Sequence, residues 1–215
     1  MSIYCMSDIH GEYERYIDML KHINFSDEDT LYIIGDVIDR GKRGVDILLD
    51  IMNRKNVHLL MGNHERMCID ELGPISVFGG RQLWQSNGGG VTRSDLLYKR
   101  TPSERSKIIR YLFKLPDYME ITVNGRDFVL VHGYPSDDPF ERIWERPKPD
   151  NEEPIPGKTV IVGHTPTVFL KGESQEPYSI WYGNGIIDID CGCGHLSEQR
   201  RLACLRLDDM QEFYI

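Results

Sequence analysis

The 215-residue sequence predicts an α/β fold with a largely parallel sheet at its core. Two observations carry this. A unit of strand, polar loop and helix recurs through the first 70 residues, as in βαβ folds. Strand after strand, in both halves of the chain, then stops at a short loop of Asp, Asn and His. No linker divides the chain, so a single domain spanning residues 1–215 is expected.

Ile3-Tyr4-Cys5-Met6 reads as a short apolar strand that stops at Ser7-Asp8-Ile9-His10-Gly11. Tyr13, Tyr16, Ile17 and Leu20 then recur at helical spacing. Leu31-Tyr32-Ile33-Ile34 is the second strand, stopped at Gly35-Asp36, and Val45, Leu48, Leu49 and Met52 mark the next helix. Val57 to Met61 is the third strand, stopped at Gly62-Asn63-His64-Glu65. Ser86-Asn87-Gly88-Gly89-Gly90 reads as a loop, because three consecutive glycines will not hold a helix. Residues 103–115 read as a helix through Ile108, Ile109, Leu112 and Phe113. Tyr118 to Val123 and Phe128 to Val131 flank Asn124-Gly125, a hairpin signal. Residues 134–158 hold six of the eleven prolines and many acids, and a loop of that length is either functional or mobile. Strand patterns resume at Thr159-Val160-Ile161-Val162, Ile180 to Tyr182, Ile186 to Ile189 and Leu202 to Leu207, so the second half is β-rich.

Composition bounds the function. With 40% apolar and 27% charged residues, the chain can bury a core without disulfide or metal staples. It holds no run of 18 apolar residues, so no membrane partner is expected. The N-terminal stretch has no basic residue before Arg15, which argues against a secretory signal and for a cytoplasmic protein. A net charge of −9 without a dense Lys/Arg run argues against nucleic-acid binding. The same charge repels phosphate-bearing substrates, so local positive charge is required at any site that takes them. Five cysteines with irregular spacing make no disulfide framework. Cys191-Gly-Cys193 has no second pair beside it and reads as buried thiols rather than zinc ligands.

Five strands end in loops rich in potential metal ligands, and four of the seven histidines lie there. Parallel strands that end at one edge bring such loops together in a crevice. Singly, Asp8 or Asp36 could be a helix N-cap and Asn63-His64 a turn; together they point to a metal centre. Mixed His nitrogen and Asp/Asn oxygen donors suit Mn, Fe or Zn. The donors Asp8, His10, Asp36, Asn63, His132 and His164 are too many for one catalytic metal with open positions. They suit two metals about 3.5–4 Å apart that share a bridging carboxylate.

In order, the loops carry Asp-x-His-Gly at 8–11, Gly-Asp-x-x-Asp-Arg-Gly at 35–41 and Gly-Asn-His-Glu at 62–65. Val131-His132-Gly133 and Gly163-His164-Thr165-Pro166 follow. This ordered set resembles the serine/threonine phosphoprotein phosphatases, a branch of the calcineurin-like metallophosphoesterases, over about Ile3 to Asp190. The compact length resembles bacterial and phage members. Ser7 stands where the family usually has Gly, and His132-Gly133 differs from some bacterial members; neither change removes a donor.

The resemblance implies a four-layer α/β/β/α metallophosphoesterase sandwich of two mixed sheets, with the active site at the strand C-terminal ends. It implies that Asp8, His10 and Asp36 hold one divalent metal. Asp36, Asn63, His132 and His164 would hold a second, with Asp36 bridging. Mn²⁺ is the first expectation for both, with Fe or Zn accepting the same donors. The resemblance further implies His64 as general acid, Asp39 as its orienting partner and Arg40 as a phosphate ligand. Ile143-Trp144-Glu145-Arg146 resembles the segment that supplies the family's second phosphate-binding arginine, which selects Arg146 over Arg142.

The implied chemistry is direct in-line attack on phosphorus by a metal-activated hydroxide, with His64 protonating the leaving group. Two divalent ions bring about +4 locally, which answers the repulsion posed by the acidic chain. The expected function is a metal-dependent phosphomonoesterase: a serine/threonine protein phosphatase, extending to phosphotyrosine, that acts on phosphoproteins or small phosphoesters. A symmetrical dinucleoside tetraphosphate hydrolase, cleaving a nucleotide anhydride or capped RNA, is the alternative. Glu65 and the Asp39-Arg40 pair lean towards the phosphatases, while Trp84, Trp144 or Trp181 could stack a base. A non-catalytic phosphoprotein-binding scaffold fits less well, because no donor or acid is missing. The Asn87-Gly88-Gly89-Gly90 loop and the 134–158 stretch are expected to shape the substrate groove.

Overall fold

A computed structural model describes residues 1–73, 80–150, 152–172 and 175–215. Two five-stranded mixed sheets face each other. In the first, β1 (Ile3–Met6), β2 (Thr30–Ile33) and β3 (Val57–Leu59) run parallel. In the second, β4 (Tyr118–Val123) pairs antiparallel with β5 (Arg126–Val131), which runs parallel to β6 (Thr159–Val162). Beyond β6, β8 (Ile186–Asp188) continues the parallel run, and β7 (Trp181–Tyr182) closes that edge antiparallel. The first sheet is completed from the other end of the chain: β9 (Ala203–Arg206) lies antiparallel to β1, and β10 (Gln211–Tyr214) pairs with β9.

Side-chain alternation builds the layers, since successive residues of a strand point to opposite faces. Cys5, Phe128, Leu130, Ile161, Ile187 and Leu205 form the core between the sheets. Their neighbours Met6, Leu31, Ile33 and Leu59 face outward from the first sheet. Helices α1 (Tyr13–His22), α2 (Gly44–Asn53), α3 (Asn63–Leu72) and α6 (Pro102–Leu112) cover that face, and Trp84 and Leu96, from the segment between α3 and α6, join the same core. The outer face of the second sheet carries Val129, Val131, Val160, Val162 and Ile186. There the covering layer is thin. Leu170, just past a 3-10 turn (Thr167–Phe169), packs on it with Tyr134 and Ile155 of the proline-rich stretch.

Most predicted elements stand where their patterns placed them. Asn124 and Gly125 both have positive φ, 50° and 76°, as the tightest hairpin turns require. Helix α6 starts at Pro102 behind a Thr101–Glu104 capping box and stops at Leu112, short of residue 115. The glycine-rich loop is shorter than expected: Ser86 ends α4 (Gly80–Ser86), and Gly90 opens α5 (Gly90–Tyr98). Burial of Thr92 and Leu96 anchors α5 and outweighs the low helix propensity of its first residue. The 134–158 stretch contains the one-turn α7 (Glu141–Trp144); Asn151 within it lies outside the described residues. The described cysteines are all free and buried, as expected. Among the described residues, no helix is long and apolar enough to cross a membrane.

Candidate dinuclear metal centre

The loops that leave β1, β2, β3, β5 and β6 converge at one edge. Their backbones are unusual. Asp8, His10, Asp36, Asp39, Arg40 and His164 all adopt positive φ, between 46° and 71°. Such conformations cost energy outside glycine and persist only where the surroundings over-determine them. Here the loops brace one another: His10 N donates to Asp36 O and Gly11 N to Val37 O, each at 2.9 Å. Gly35, at φ 76°, lets three loops approach. A Cβ there would lie 2.6 Å from Gly62 Cα and 2.7 Å from His132 Nδ1.

Glu65, on the first turn of α3, ties this edge together. Its Oε2 accepts from Asp36 N at 2.7 Å and Gly62 N at 3.1 Å, and its Oε1 from Val37 N at 2.9 Å. Burial and the nearby Asp36 carboxylate push its pKa up to about 7. Ser7 is a second support: its hydroxyl lies within hydrogen-bond reach of both Asp8 Oδ2 and Ile34 O and gives its one proton to either. The residue that departs from the family pattern therefore orients a predicted ligand.

Asp36 lies at the middle of the cluster. Its Oδ2 is 3.3 Å from His132 Nε2, 3.7 Å from His10 Nε2 and 3.8 Å from His64 Nε2. Asp8 Oδ1 stands 3.7 Å from His10 Nε2, and Asn63 Oδ1 is 3.1 Å from His132 Nε2. Two groups of metal-binding capacity result, His10–Asp36–His64 and Asp36–His132–His164, and both include Asp36. The ring Nδ1 atoms of His10 and His132 face the carbonyls of Ile38 and Ile34, at 3.1 and 2.7 Å. Each Nε2 is thereby aimed at the centre, as in metal-ligating histidines. His164 Nε2 is buried with no hydrogen-bond partner among the described residues. An orphaned imidazole nitrogen among buried oxygen and nitrogen donors fits a bound divalent cation.

Burial and neighbouring charges shift the groups of the cluster in opposite directions: at His132, burial acts to lower the pKa, but Asp36 outweighs it and raises the imidazole to about 10. Burial alone would raise the Asp36 pKa, but His132 and His64 outweigh it and hold the carboxyl well below its ordinary value. Burial, then repulsion from His132 and Arg146, drives His164 well below the usual histidine range. His164 is therefore neutral, the form that ligates metal.

His64 meets the cluster from one side. Its Nδ1 is 2.7 Å from Asp39 Oδ2, and its Nε2 is 3.4 Å from Arg40 Nη2. Arg40 and Arg146 are both exposed and line a cleft of about 390 Å³ over Asp36 and His164. Arg146 is held by His164 O at 3.1 Å and Thr165 Oγ1 at 3.2 Å. Arg142 instead pairs with Asp117 at 3.0 Å and donates to Ser136 O, outside that cleft.

Asn87 and Trp144 line the cleft, so both segments expected to shape a groove contribute to it. Trp84 is fully buried, and Trp181, on edge strand β7, is buried against the outer face of the second sheet, so neither is placed to stack a base. Asp190 and His195, which follow β8, also line the cleft and were not singled out by sequence. A strand end at Asp188 followed by one further acid, Asp190, and a histidine was the available signal.

Two mixed sheets with a histidine–carboxylate centre at the ends of their parallel strands place the chain among metal-dependent hydrolases. It belongs to the calcineurin-like phosphoesterase family, whose profile matches residues 1–208. Among curated proteins it is 28% identical over 178 residues to serine/threonine-protein phosphatase 2 of Salmonella typhimurium, covering 75% of this chain and 78% of that protein. The Escherichia coli protein of the same name is 31% identical over 138 residues, 62% of this chain and 59% of its own length. A symmetrical bis(5'-nucleosyl)-tetraphosphatase of Enterobacter is 37% identical over 67 residues, only 30% of this chain and 24% of that protein. Among solved structures, a metallophosphoesterase from Sphaerobacter thermophilus superposes with a TM-score of 0.62 at 17% identity, covering 100% of this chain and 87% of that one. At such identity the likeness speaks to the fold.

Proposed function

We propose that the protein is a metal-dependent phosphomonoesterase acting on phosphoserine and phosphothreonine proteins, and on phosphotyrosine. The observation that carries the reading is the placement of His64, backed by Asp39 and beside Arg40, at the edge of donor groups that share Asp36. Asp8, His10 and Asp36 would hold one cation, and Asp36, Asn63, His132 and His164 the other. When bound, two divalent cations, Mn²⁺ by this reading, supply Lewis acidity and lower the pKa of water at the site.

The chain's own residues do the rest. Arg40 and Arg146 bind and orient the phosphoryl oxygens from the cleft rim and offset charge that grows there in the transition state. His64 gives its Nε2 proton to the leaving oxygen as the P–O bond breaks, and Asp39 holds the other ring nitrogen protonated. Arg40 beside Nε2 supports this role, because an oxygen of the bound phosphoester can sit between the two donors. Buried free thiols support action in the reducing cytoplasm.

The choice of phosphoprotein over dinucleotide rests on the longer match to the protein phosphatases. The higher identity over the shorter match favours the second reading, a dinucleoside tetraphosphate hydrolase. Chelator-stripped protein should be inactive and regain activity with Mn²⁺. Restored enzyme should then show a higher kcat/KM on a phosphoserine peptide than on diadenosine tetraphosphate. The reverse preference would move the substrate to nucleotides and leave the donor set standing.

The two arginines are separable. Arg146→Ala should lower kcat/KM by about 10²-fold, the loss typical for one preorganised donor to developing charge. Arg142→Ala should change it little, because Arg142 spends its donors on Asp117 and Ser136. Steady-state kinetics on one phosphopeptide decides between them.

A further inference from the structure

Asp39 and Arg40 sit on strained backbone that the α4–α5 segment holds from outside. Asp39 N donates to Thr92 Oγ1 at 3.0 Å, and Arg40 N to Gly88 O at 3.2 Å. Gly88 has φ 95°, and a Cβ there would come within 3.0 Å of Arg40 Cγ. The same segment reaches the carboxylate itself. Trp84 Nε1–H donates to Asp39 Oδ2 at 2.6 Å, the oxygen that also meets His64 Nδ1 at 2.7 Å. The other oxygen, Asp39 Oδ1, is buried and has no hydrogen-bond partner among the described residues. The turn after α4 closes on the indole: a Cβ on Gly89 would collide with the Trp84 ring.

We propose that Trp84 is a positioning residue for the acid, fixing the Asp39 rotamer so that Oδ2 meets His64 Nδ1 and His64 Nε2 faces the leaving oxygen. A carboxylate with a single donor on one oxygen can turn about its terminal torsion, which is broad and roughly two-fold. Two donors on the same oxygen remove that freedom. The glycines after Trp84 follow from the same arrangement, because the chain must pass close to both the indole and Arg40. The inference rests on the reading of His64 as the acid.

Leaving-group dependence separates this role from simple core filling. Protonation matters for an alkyl phosphate and little for 2,4-dinitrophenyl phosphate, whose leaving group departs as an anion. In the Mn²⁺-loaded full chain, Trp84→Phe should lower kcat on an alkyl phosphate by about 10-fold or more, the low end of outer-shell losses. On the dinitrophenyl ester kcat should change little, and KM should hold for both substrates. To guard against misfolding, 3-benzothienylalanine at position 84 replaces only the N–H with sulfur and should give the same split. Equal losses on the two esters, or no loss on either, overturn the proposal. His64→Asn serves as reference. A steep His64→Asn profile beside a flat Trp84 profile overturns the positioning role alone. A flat His64→Asn profile overturns the acid reading and the proposal with it.

Discussion

Asp36→Asn is expected to abolish metal loading and activity while leaving the fold intact. Asp36 is the one carboxylate common to both donor groups. Its Oδ2 faces three imidazoles within 3.8 Å, and its Oδ1 accepts from His64 N at 3.0 Å at the start of α3. Asparagine keeps an oxygen for that backbone N–H and nearly the same shape. It removes the negative charge that draws two cations together. Loss of an outer-shell partner already costs about 10–100-fold in metal affinity, so loss of the shared ligand should exceed about 100-fold. The fall in kcat/KM should reach at least about 10³-fold, since one charge-stabilising donor alone is worth ~10²–10³. Metal content after dialysis, read with kcat/KM and a thermal melt, checks all three. A variant that keeps two bound metals and activity within tenfold would refute the sharing of Asp36.

What the sequence revealed and what it hid divide along chain distance. The strand ends were readable because each apolar run breaks at a polar loop, and the donors because they are short-range neighbours within those loops. Pattern alone could not show which distant groups hold the donors. Glu65 bonds the Asp36 amide 29 residues away, and Trp84 bonds Asp39 across 45. The first exists because parallel strands bring their ends to one edge, the second because α4 packs beside α3 at that edge. By sequence Trp84 could equally be a stacking partner, a core residue or a rim residue, since nothing local marks an indole as buried. Strand β10 escaped notice for another reason: its Gln211 and Glu212 are exposed and Phe213 and Tyr214 only partly buried, so no apolar alternation marks it. The substrate stays hidden because the donor set acts on the phosphoryl group, which peptides and nucleotides share.

His64→Asn is expected to lower kcat on alkyl phosphoesters by about 10²–10⁴-fold, the usual worth of a positioned general acid, with both metals retained. The direction of the His64 pKa supports the role. Burial acts to lower it, but Asp36 and then the bond to Asp39 outweigh burial and raise it above the ordinary histidine value. The proton is therefore present at lower pH and lost as pH rises through the raised pKa. The wild-type kcat profile should carry an alkaline limb that His64→Asn lacks. Asp39→Asn should reproduce much of the loss, because an amide no longer dictates which ring nitrogen holds the proton. Metal content is the decisive companion measurement, for His64 Nε2 is only 3.8 Å from Asp36 Oδ2 and lies in one of the two donor groups. If His64→Asn sheds a metal, His64 is a ligand and the acid must be sought elsewhere in the cleft. If both metals stay while the alkyl ester slows and the dinitrophenyl ester does not, the Asp39–His64 pair is the proton donor.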